Sequence, residues 1–464
     1  MPRTLHRTRS RQRRQRGAAF IITLLITTVL ASLVLVFANR MRTRAETSTR
    51  HSAHAQARWI AVGVLEAVRG DLADAITNGE SPRLVNVGTA GETVGDGLYW
   101  IIAPDYTDDT QQTYGLIGEA SKLNLNNTPV ESLIELPSMT EDLAAAIVDW
   151  RDADTETTPG GAESDYYLTR DTPYNAKDRD YETLGELAYV RSVDAAVLYG
   201  EDTNRNGRLD ATEDDGPSNG AVDNADGRLD RGLAGFTTVY SREPITDLEG
   251  NDLININEPS QELAALIQQE LGDERLGELA GTIPGNRPYA SVLDFYIKND
   301  LTEDEFGLIH DKLTVPGPGS RVGRVDPHSA LAEVLDALPG MEPGDGALLV
   351  AARPILQPGE EPGSLAWVVE ALGEAKAAQV GARLTHHALQ FTVDIVAVTN
   401  DGQGYCRLRF VIDTRTTIED NDTLPEIVFV QDLTALGWPM DPAILEQLQQ
   451  GVSPAEVAEQ FGAE

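Results

Sequence analysis

Arg16-Gly17 followed by AAFIITLLITTVLASLVLVFAN, residues 18–39, is the stretch on which the reading of the chain turns. It holds no charged side chain, and as a helix it would rise about 33 Å, enough to cross a bilayer. Ahead of it, residues 1–17 carry seven arginines and no acid, and Arg40, Arg42 and Arg44 close the apolar run. Arginines packed before a single span hold the N-terminus in the cytoplasm and send the rest of the chain across. The apolar part of a cleaved secretory signal is shorter, roughly 7–15 residues, and ends in small residues. Phe37-Ala38-Asn39-Arg40 is no such end. A plain signal anchor stands as the competing reading.

Beyond that leader the charge reverses. The 464 residues hold 74 acidic and 37 basic side chains, a formal net charge of −37, and without residues 1–17 the balance is −44. Nucleic-acid affinity comes largely from lysine and arginine displacing counterions, so a body this acidic is poorly suited to phosphate; its carboxylates suit calcium better. A hydrophobic content of 41 % with 24 % charged residues is globular, and the length allows two or three domains. Cys406 is the only cysteine, which excludes an intrachain disulfide or a cysteine-built zinc site.

The first helix is expected to run past the membrane. Ala57, Ala61, Leu65, Val68, Leu72 and Ile76 recur at spacings of three and four, and Asn78-Gly79 with Ser81-Pro82 stops them. Residues 94–118 read as two short strands. Alternation in 388–398, a turn at Asn400-Asp401-Gly402-Gln403-Gly404 and alternation in 405–412 read as a hairpin, with a third strand at 425–431.

Between these strands three segments share one texture. Lys122-Leu123-Asn124-Leu125-Asn126-Asn127-Thr128-Pro129, Leu253-Ile254-Asn255-Ile256-Asn257-Glu258-Pro259 and Arg324-Val325-Asp326-Pro327 each lead from a strand-like entry through a proline into an amphipathic helix. In the first, Thr128 is expected to cap, Pro129 to occupy the first helical position and Glu131 to complete a capping box. Breaks at Leu136-Pro137 and Leu338-Pro339-Gly340 give a helix-hairpin-helix or SAM-like unit, a shape that often binds DNA. Phosphate binding there needs free hairpin amides and nearby cations. These hairpins instead carry Glu141, Asp142, Glu342 and Asp345.

Asp202, Asn204, Asn206, Gly207, Arg208, Asp210 and Glu213 fall on the spacing of a calcium loop. Oxygen side chains alternate toward one centre, the seventh position lends its carbonyl, glycine permits the sharp turn and the final glutamate offers two oxygens. Asp223, Asn224, Asp226 and Asp230 belong to a stretch that repeats the Gly-Arg-Leu-Asp core with Val222 in the first ligand position, as a second or shared site. No catalytic constellation appears. The seven histidines give no HExxH and are expected to be solvated or capping, and there is no GxSxG, Walker loop or GxGxxG.

Two resemblances join these observations. The basic leader, Arg16-Gly17 junction and apolar helix resemble the class III leader of type IV pilins and pseudopilins. That likeness implies a cut between Gly17 and Ala18 by a prepilin peptidase, leaving Ala18 as the first residue. The fifth mature position, glutamate in most such subunits, is Ile22 here; the K subunit of type II secretion is the exception that typically lacks it. The string Asp149-Trp150-Arg151-Asp152-Ala153-Asp154, Gly161-Ala162-Glu163-Ser164-Asp165-Tyr166-Tyr167, Pro173-Tyr174 and Leu184-Gly185-Glu186-Leu187 looks like the general secretion pathway protein K family.

The family resemblance implies an α+β, pilin-like fold: leader 1–17, transmembrane helix 18–39, spine 40–78, sheet segments 90–121 and 364–432, an inserted helical domain over 122–355 and a tail over 433–464. It also implies Ca²⁺ bound by the insertion, with Asp152, Asp154, Glu163 and Asp165 as its acidic motif. The implied function is that of a non-enzymatic minor pseudopilin at the tip of the pseudopilus, capping it and helping to start its assembly. The implied place is the inner membrane, crossed once, with the bulk periplasmic. The implied partners are minor pseudopilins I and J, the major pseudopilin, the inner-membrane assembly platform and the prepilin peptidase, with no nucleic acid and no small-molecule substrate. The alternative is a membrane-anchored helix-hairpin-helix protein for DNA binding or uptake.

Overall fold

The computed structural model describes residues 9–213, 226–315, 322–355, 363–420 and 423–462. One helix, Arg9–Thr77, runs through the apolar stretch and on into the body. Its residues Ala19–Thr77 include a window of mean hydropathy 2.8, long and apolar enough to cross a membrane, and Phe20 through Phe37 lie exposed. The stripe of Ala57, Ala61, Leu65, Val68, Leu72 and Ile76 is buried, because three- and four-residue steps keep one face toward a partner surface.

That surface is a sheet. The strands in chain order are β1 Glu92–Val94, β2 Gly97–Pro104, β3 Gln112–Tyr114, β4 Ile117–Gly118, β5 Leu123–Asn124, β6 Thr237–Thr238, β7 Ile254–Asn255, β8 Leu313–Thr314, β9 Gln390–Thr399, β10 Tyr405–Asp413 and β11 Glu426–Asp432. The main sheet is antiparallel in the order β1-β2-β9-β10-β11, with β3 on β2 and β4 on β9. Residues 97–118 thus form three strands, after β1, where two were expected over 94–118, because polar turns at 105–111 and around Gly115 cut the run. Phe391, Val393, Ile395 and Ala397 of β9, with Leu408 and Phe410 of β10, face the long helix. The chain is an α+β fold, a long N-terminal helix laid on a small antiparallel sheet with a helical region inserted between strands.

Part of the second face of the sheet, over β2 and the end of β9, is covered by the C-terminus. Residues 433–464, expected as a tail, form helices Pro442–Gln449 and Pro454–Phe461, and Met440, Ile444, Leu448 and Val457 lie on Leu98, Trp100, Val396 and Val398. The Trp100 indole donates to the Phe461 carbonyl at 3.2 Å. The reason is chemical: β2 is buried along nearly its whole length, so its outward side chains need a cover as much as its inward ones.

The inserted region also differs from its expected bounds. Residues 364–389, expected in the sheet, form helices Ala366–Leu372 and Glu374–Val380, and Trp367, Val368, Ala377, Val380 and Leu384 belong to the core of the inserted domain. In each of the three repeated segments the entry strand pairs in parallel with a distant partner: β5 with β6, β7 with β8, and Val325 with Leu384. The asparagines explain their own spacing. The Asn126 carboxamide donates to the Tyr181 carbonyl and accepts from its amide, and Asn257 does the same with Tyr289. An arginine returns to each loop: Arg151 to the Thr128 carbonyl, Arg287 to Ile256 and Glu258, Arg353 to Pro327 and Ala330.

This bracketing corrects the expected cap of the first unit. The Thr128 hydroxyl donates to the Asn124 carbonyl at 2.6 Å, so Pro129, not Thr128, is the N-cap of helix Val130–Leu133, and Glu131 completes no box. Capping boxes occur instead at Thr183/Glu186, Thr302/Glu305 and Ser453/Glu456. In the third unit Pro327 lies in a turn well before helix Ala332–Asp336. Removing residues 437–464 is expected to uncover Trp100 and Val396; a red-shifted tryptophan emission and a lowered melting temperature, read on the detergent-solubilised chain, check it.

Candidate metal centre

Helix Glu141–Asp149 begins at Thr140, whose hydroxyl accepts from the Leu143 amide, and ends on a carboxylate. One turn on comes Asp152, and the loop that follows returns Glu163 to the same place. Asp149, Asp152 and Glu163 each offer an oxygen, and these atoms all lie within 4.8 Å of one another. Both Glu163 oxygens and Oδ1 of Asp152 are buried and have no hydrogen-bond partner among the described residues. Burial pushes the Glu163 carboxyl up to about 7, and the neighbouring Asp152 carboxylate pushes it the same way. Asp152 is raised too, by desolvation and then by Asp154 and Asp149. Asp149 accepts only the Thr158 amide, at 3.2 and 3.3 Å, and three converging carboxylates so poorly supplied with donors fit a calcium ion, which offsets both the desolvation and the mutual repulsion.

The surroundings account for the sequence intervals. A Cβ on Gly161 would lie 2.1 Å from Oδ2 of Asp149, so only glycine lets the loop pass so close. Beneath the acids, Trp150 meets Tyr167 edge-on at 5.1 Å and Tyr174 at 6.0 Å, and Tyr174 stacks on Tyr167 at 5.2 Å. This aromatic box fixes the end of the helix and the start of helix Ser164–Tyr167, and so the separation of the carboxylates. Of the four acids implied by resemblance, Asp152 and Glu163 come together. Asp154 caps the Glu156 amide in an exposed turn and Asp165 is exposed on the short helix. Asp149 was missed; its signal was the Asp149-x-x-Asp152 spacing, which keeps two carboxylates on one side of a helical end.

The second predicted loop closes on itself. Asp202 accepts from the Asn206 and Gly207 amides at 2.9 and 3.1 Å. Asn204 and Asn206 both donate to Oδ2 of Asp210, at 2.7 and 3.0 Å. Glu213 takes the Thr203 amide on one oxygen and the Asp210 amide on the other. The side chains at template positions 1, 3, 5, 9 and 12 therefore share one interior, and burial raises Asp202 and Glu213. The Arg208 side chain points at Asp210, 2.5 Å from Oδ1. Arg407 and Arg409 reach out of the sheet to the carbonyls of Asn204 and Arg205 and bind Asp394 behind them.

Asp223 lies outside the described residues. Of the second repeat, Asp226 accepts from the Arg228 amide, and the Asp230 amide donates to Oε2 of Glu201 at 3.1 Å. Glu201 thus does for Asp230 what Glu213 does for Asp210, from outside the repeat, which is why the template left its twelfth position empty. Both repeats dock on Asp109: its carbonyl accepts the Leu209 amide and its Oδ2 the Leu229 amide.

Three histidines expected to be solvated or capping are gathered into one cluster. The His310 and His386 rings are 4.5 Å apart and those of His386 and His387 4.1 Å. Burial lowers His310 to about 4 and takes His386 well below its usual range.

Residues 120–199, the stretch that holds the converging carboxylates, match the family model described as type II secretion system (T2SS), protein K. The chain resembles the protein K family. A type II secretion system protein K of Pectobacterium carotovorum subsp. carotovorum is 26 % identical over 198 residues, 39 % of this chain and 60 % of that protein. A crystal structure of the GspK-GspI-GspJ complex from the enterotoxigenic Escherichia coli type 2 secretion system aligns with a TM-score of 0.43 and 14 % identity, covering 84 % of this chain and 99 % of that one.

Two outcomes are expected. Calcium should raise the melting temperature, and calorimetry should find fewer bound ions in either Glu163→Gln or Glu213→Gln than in the wild type. In calcium-free buffer the folded protein holds the Glu163 proton that the unfolded chain releases near 4.5, so stability should fall as pH climbs from about 4.5 to about 7. Calcium should remove that fall, and Glu163→Gln should abolish it; thermal melts across the range check both.

Proposed function

We propose that the chain is a minor pseudopilin of a type II secretion machine, placed at the tip of the pseudopilus, where it caps the filament and helps to start its assembly. The observation that carries this reading is a protein K segment seated on a scaffold whose first helix is apolar and exposed in its leading part and packed on a sheet in its trailing part. The exposed part, residues 19–39, sits in the inner membrane beside the corresponding helices of other subunits, and the acidic body lies in the periplasm. Minor pseudopilins I and J are its neighbours in the tip complex, and the prepilin peptidase, the major pseudopilin and the inner-membrane platform act on or with it. The inserted domain adds bulk above the sheet that a further subunit could not stack upon. No catalytic step is assigned to the chain.

Calcium has a mechanical part in this reading. Asp149, Asp152 and Glu163 would hold one ion and Asp202, Asn204, Asn206, the Arg208 carbonyl, Asp210 and Glu213 another, with Glu201, Asp226 and Asp230 beside it. The bound ions neutralise carboxylates on polar loops too short of apolar surface to order themselves. The DNA-binding alternative finds little support: in the third unit the Asp336 carboxylate accepts the Gly344 and Gly346 amides, filling the place a phosphate would take.

N-terminal sequencing of the membrane form from cells with the prepilin peptidase should give Ala18 as the first residue, and from cells without it the uncut leader. Affinity capture of the processed chain should recover subunits I and J in calcium and less of them in chelator. A different first residue, or no association with either subunit, would remove the pseudopilin reading.

A further inference from the structure

A cavity of about 320 Å³ lies between the main sheet and the inserted domain, within the range of pockets that hold small organic molecules. Its apolar walls are Ile117, Val411 and Phe429 from the sheet side and Ala234 from helix Gly232–Phe236. The ionised groups around it are almost all committed elsewhere. Glu119 accepts from the Thr392 and Thr238 hydroxyls, and Asp202 from two backbone amides. Arg409 is held by Asp394, Arg231 by Asp109, and the Arg205 guanidinium lies 3.7 Å over the Tyr199 ring.

Lys122 is the exception. This half-buried residue lines the cavity, and its ammonium forms no hydrogen bond or ion pair among the described residues. Desolvation pulls its pKa down, and Glu119 only partly offsets that. Two phenols stand in the same wall, Tyr106 and Tyr240, and neither hydroxyl has a hydrogen-bond partner among the described residues. Desolvation raises the Tyr240 phenol, and that of Tyr106, a residue 37 % exposed, is pushed up to about 12, so both remain protonated donors. A desolvated cation and two phenols around an apolar floor are complementary to one kind of guest, a negatively charged head on an apolar body.

We propose that this cavity is a binding site for a small amphipathic carboxylate, whose acid group pairs with Lys122 and whose apolar body lies against Phe429 and Val411. The site is distinct from the carboxylate centre at Asp149, Asp152 and Glu163, and it does not depend on the secretion reading. It does share a wall with the Asp202 loop, since Asp202, Arg205, Asn206 and Gly207 line it.

The test uses 4-fluorobenzoate and its neutral isostere 4-fluorobenzamide, titrated by fluorine NMR line width into the full chain in detergent micelles, with empty micelles as the baseline. Benzoate is expected to bind at least about tenfold more tightly than the amide, the size of one desolvated charge-assisted contact. Lys122→Met should abolish that preference, and Ala234→Phe, which fills the cavity, should remove the binding of both probes. Equal binding of the two probes, an unchanged preference in Lys122→Met, or no protein-dependent broadening up to the solubility limit would overturn the proposal. If Lys122→Met does not fold, as judged by circular dichroism, Ala234→Phe decides: a benzoate preference that survives there overturns it.

Discussion

Strand β9 must bury both of its faces, and the rest of the molecule is arranged around that demand. Its inward residues, Phe391, Val393, Ile395 and Ala397, are apolar and meet the long helix. Its outward residues change character along the strand. Val396 and Val398 are covered by the C-terminal helices, whereas Thr392 and Asp394 lie under the inserted domain. A buried aspartate costs several kcal/mol unless it is paired and hydrogen-bonded. Asp394 has Arg407 and Arg409, and those guanidiniums then spend their remaining protons on the carbonyls of Asn204 and Arg205. One carboxylate thus ties the sheet to the first calcium-type loop.

The inserted domain solves a different problem, the holding of polar loops in register without long strands. Its strands are two residues each, too short for a ladder to be stable alone. Side chains take over the work of the missing backbone bonds. Asn126 and Asn257 bracket Tyr181 and Tyr289, and Arg151, Arg287 and Arg353 close their loops. Each such bond contributes on the order of 1 kcal/mol, so the domain rests on their number and on the shared apolar core beneath them.

How far this could be seen beforehand depended on range. The helix stripe, the β9–β10 hairpin and the spacing of the Asp202 loop were legible because each is written in neighbouring residues whose period fixes their direction. Asp149 and Glu201 were not, since their roles depend on where a distant loop returns. The C-terminal helices carry a readable amphipathic pattern, but only the doubly buried β2 says what they cover. Thr128 misled for a related reason: the local cap pattern is sound, yet the Asn124 carbonyl reaches the hydroxyl first. The histidines were judged singly, and His310 meets His386 only through the fold.

Adjacent strands β2 and β9 are separated in sequence by the whole inserted domain. A chain emerging N-terminus first cannot finish its sheet until that domain has been delivered, so the insertion is free to fold as a unit while the long helix waits without its partner strands. Closing so long a loop costs entropy, and an insertion already compact brings its two ends nearer before the sheet must bring them together. Order of arrival, and not only final packing, is thereby built into the topology.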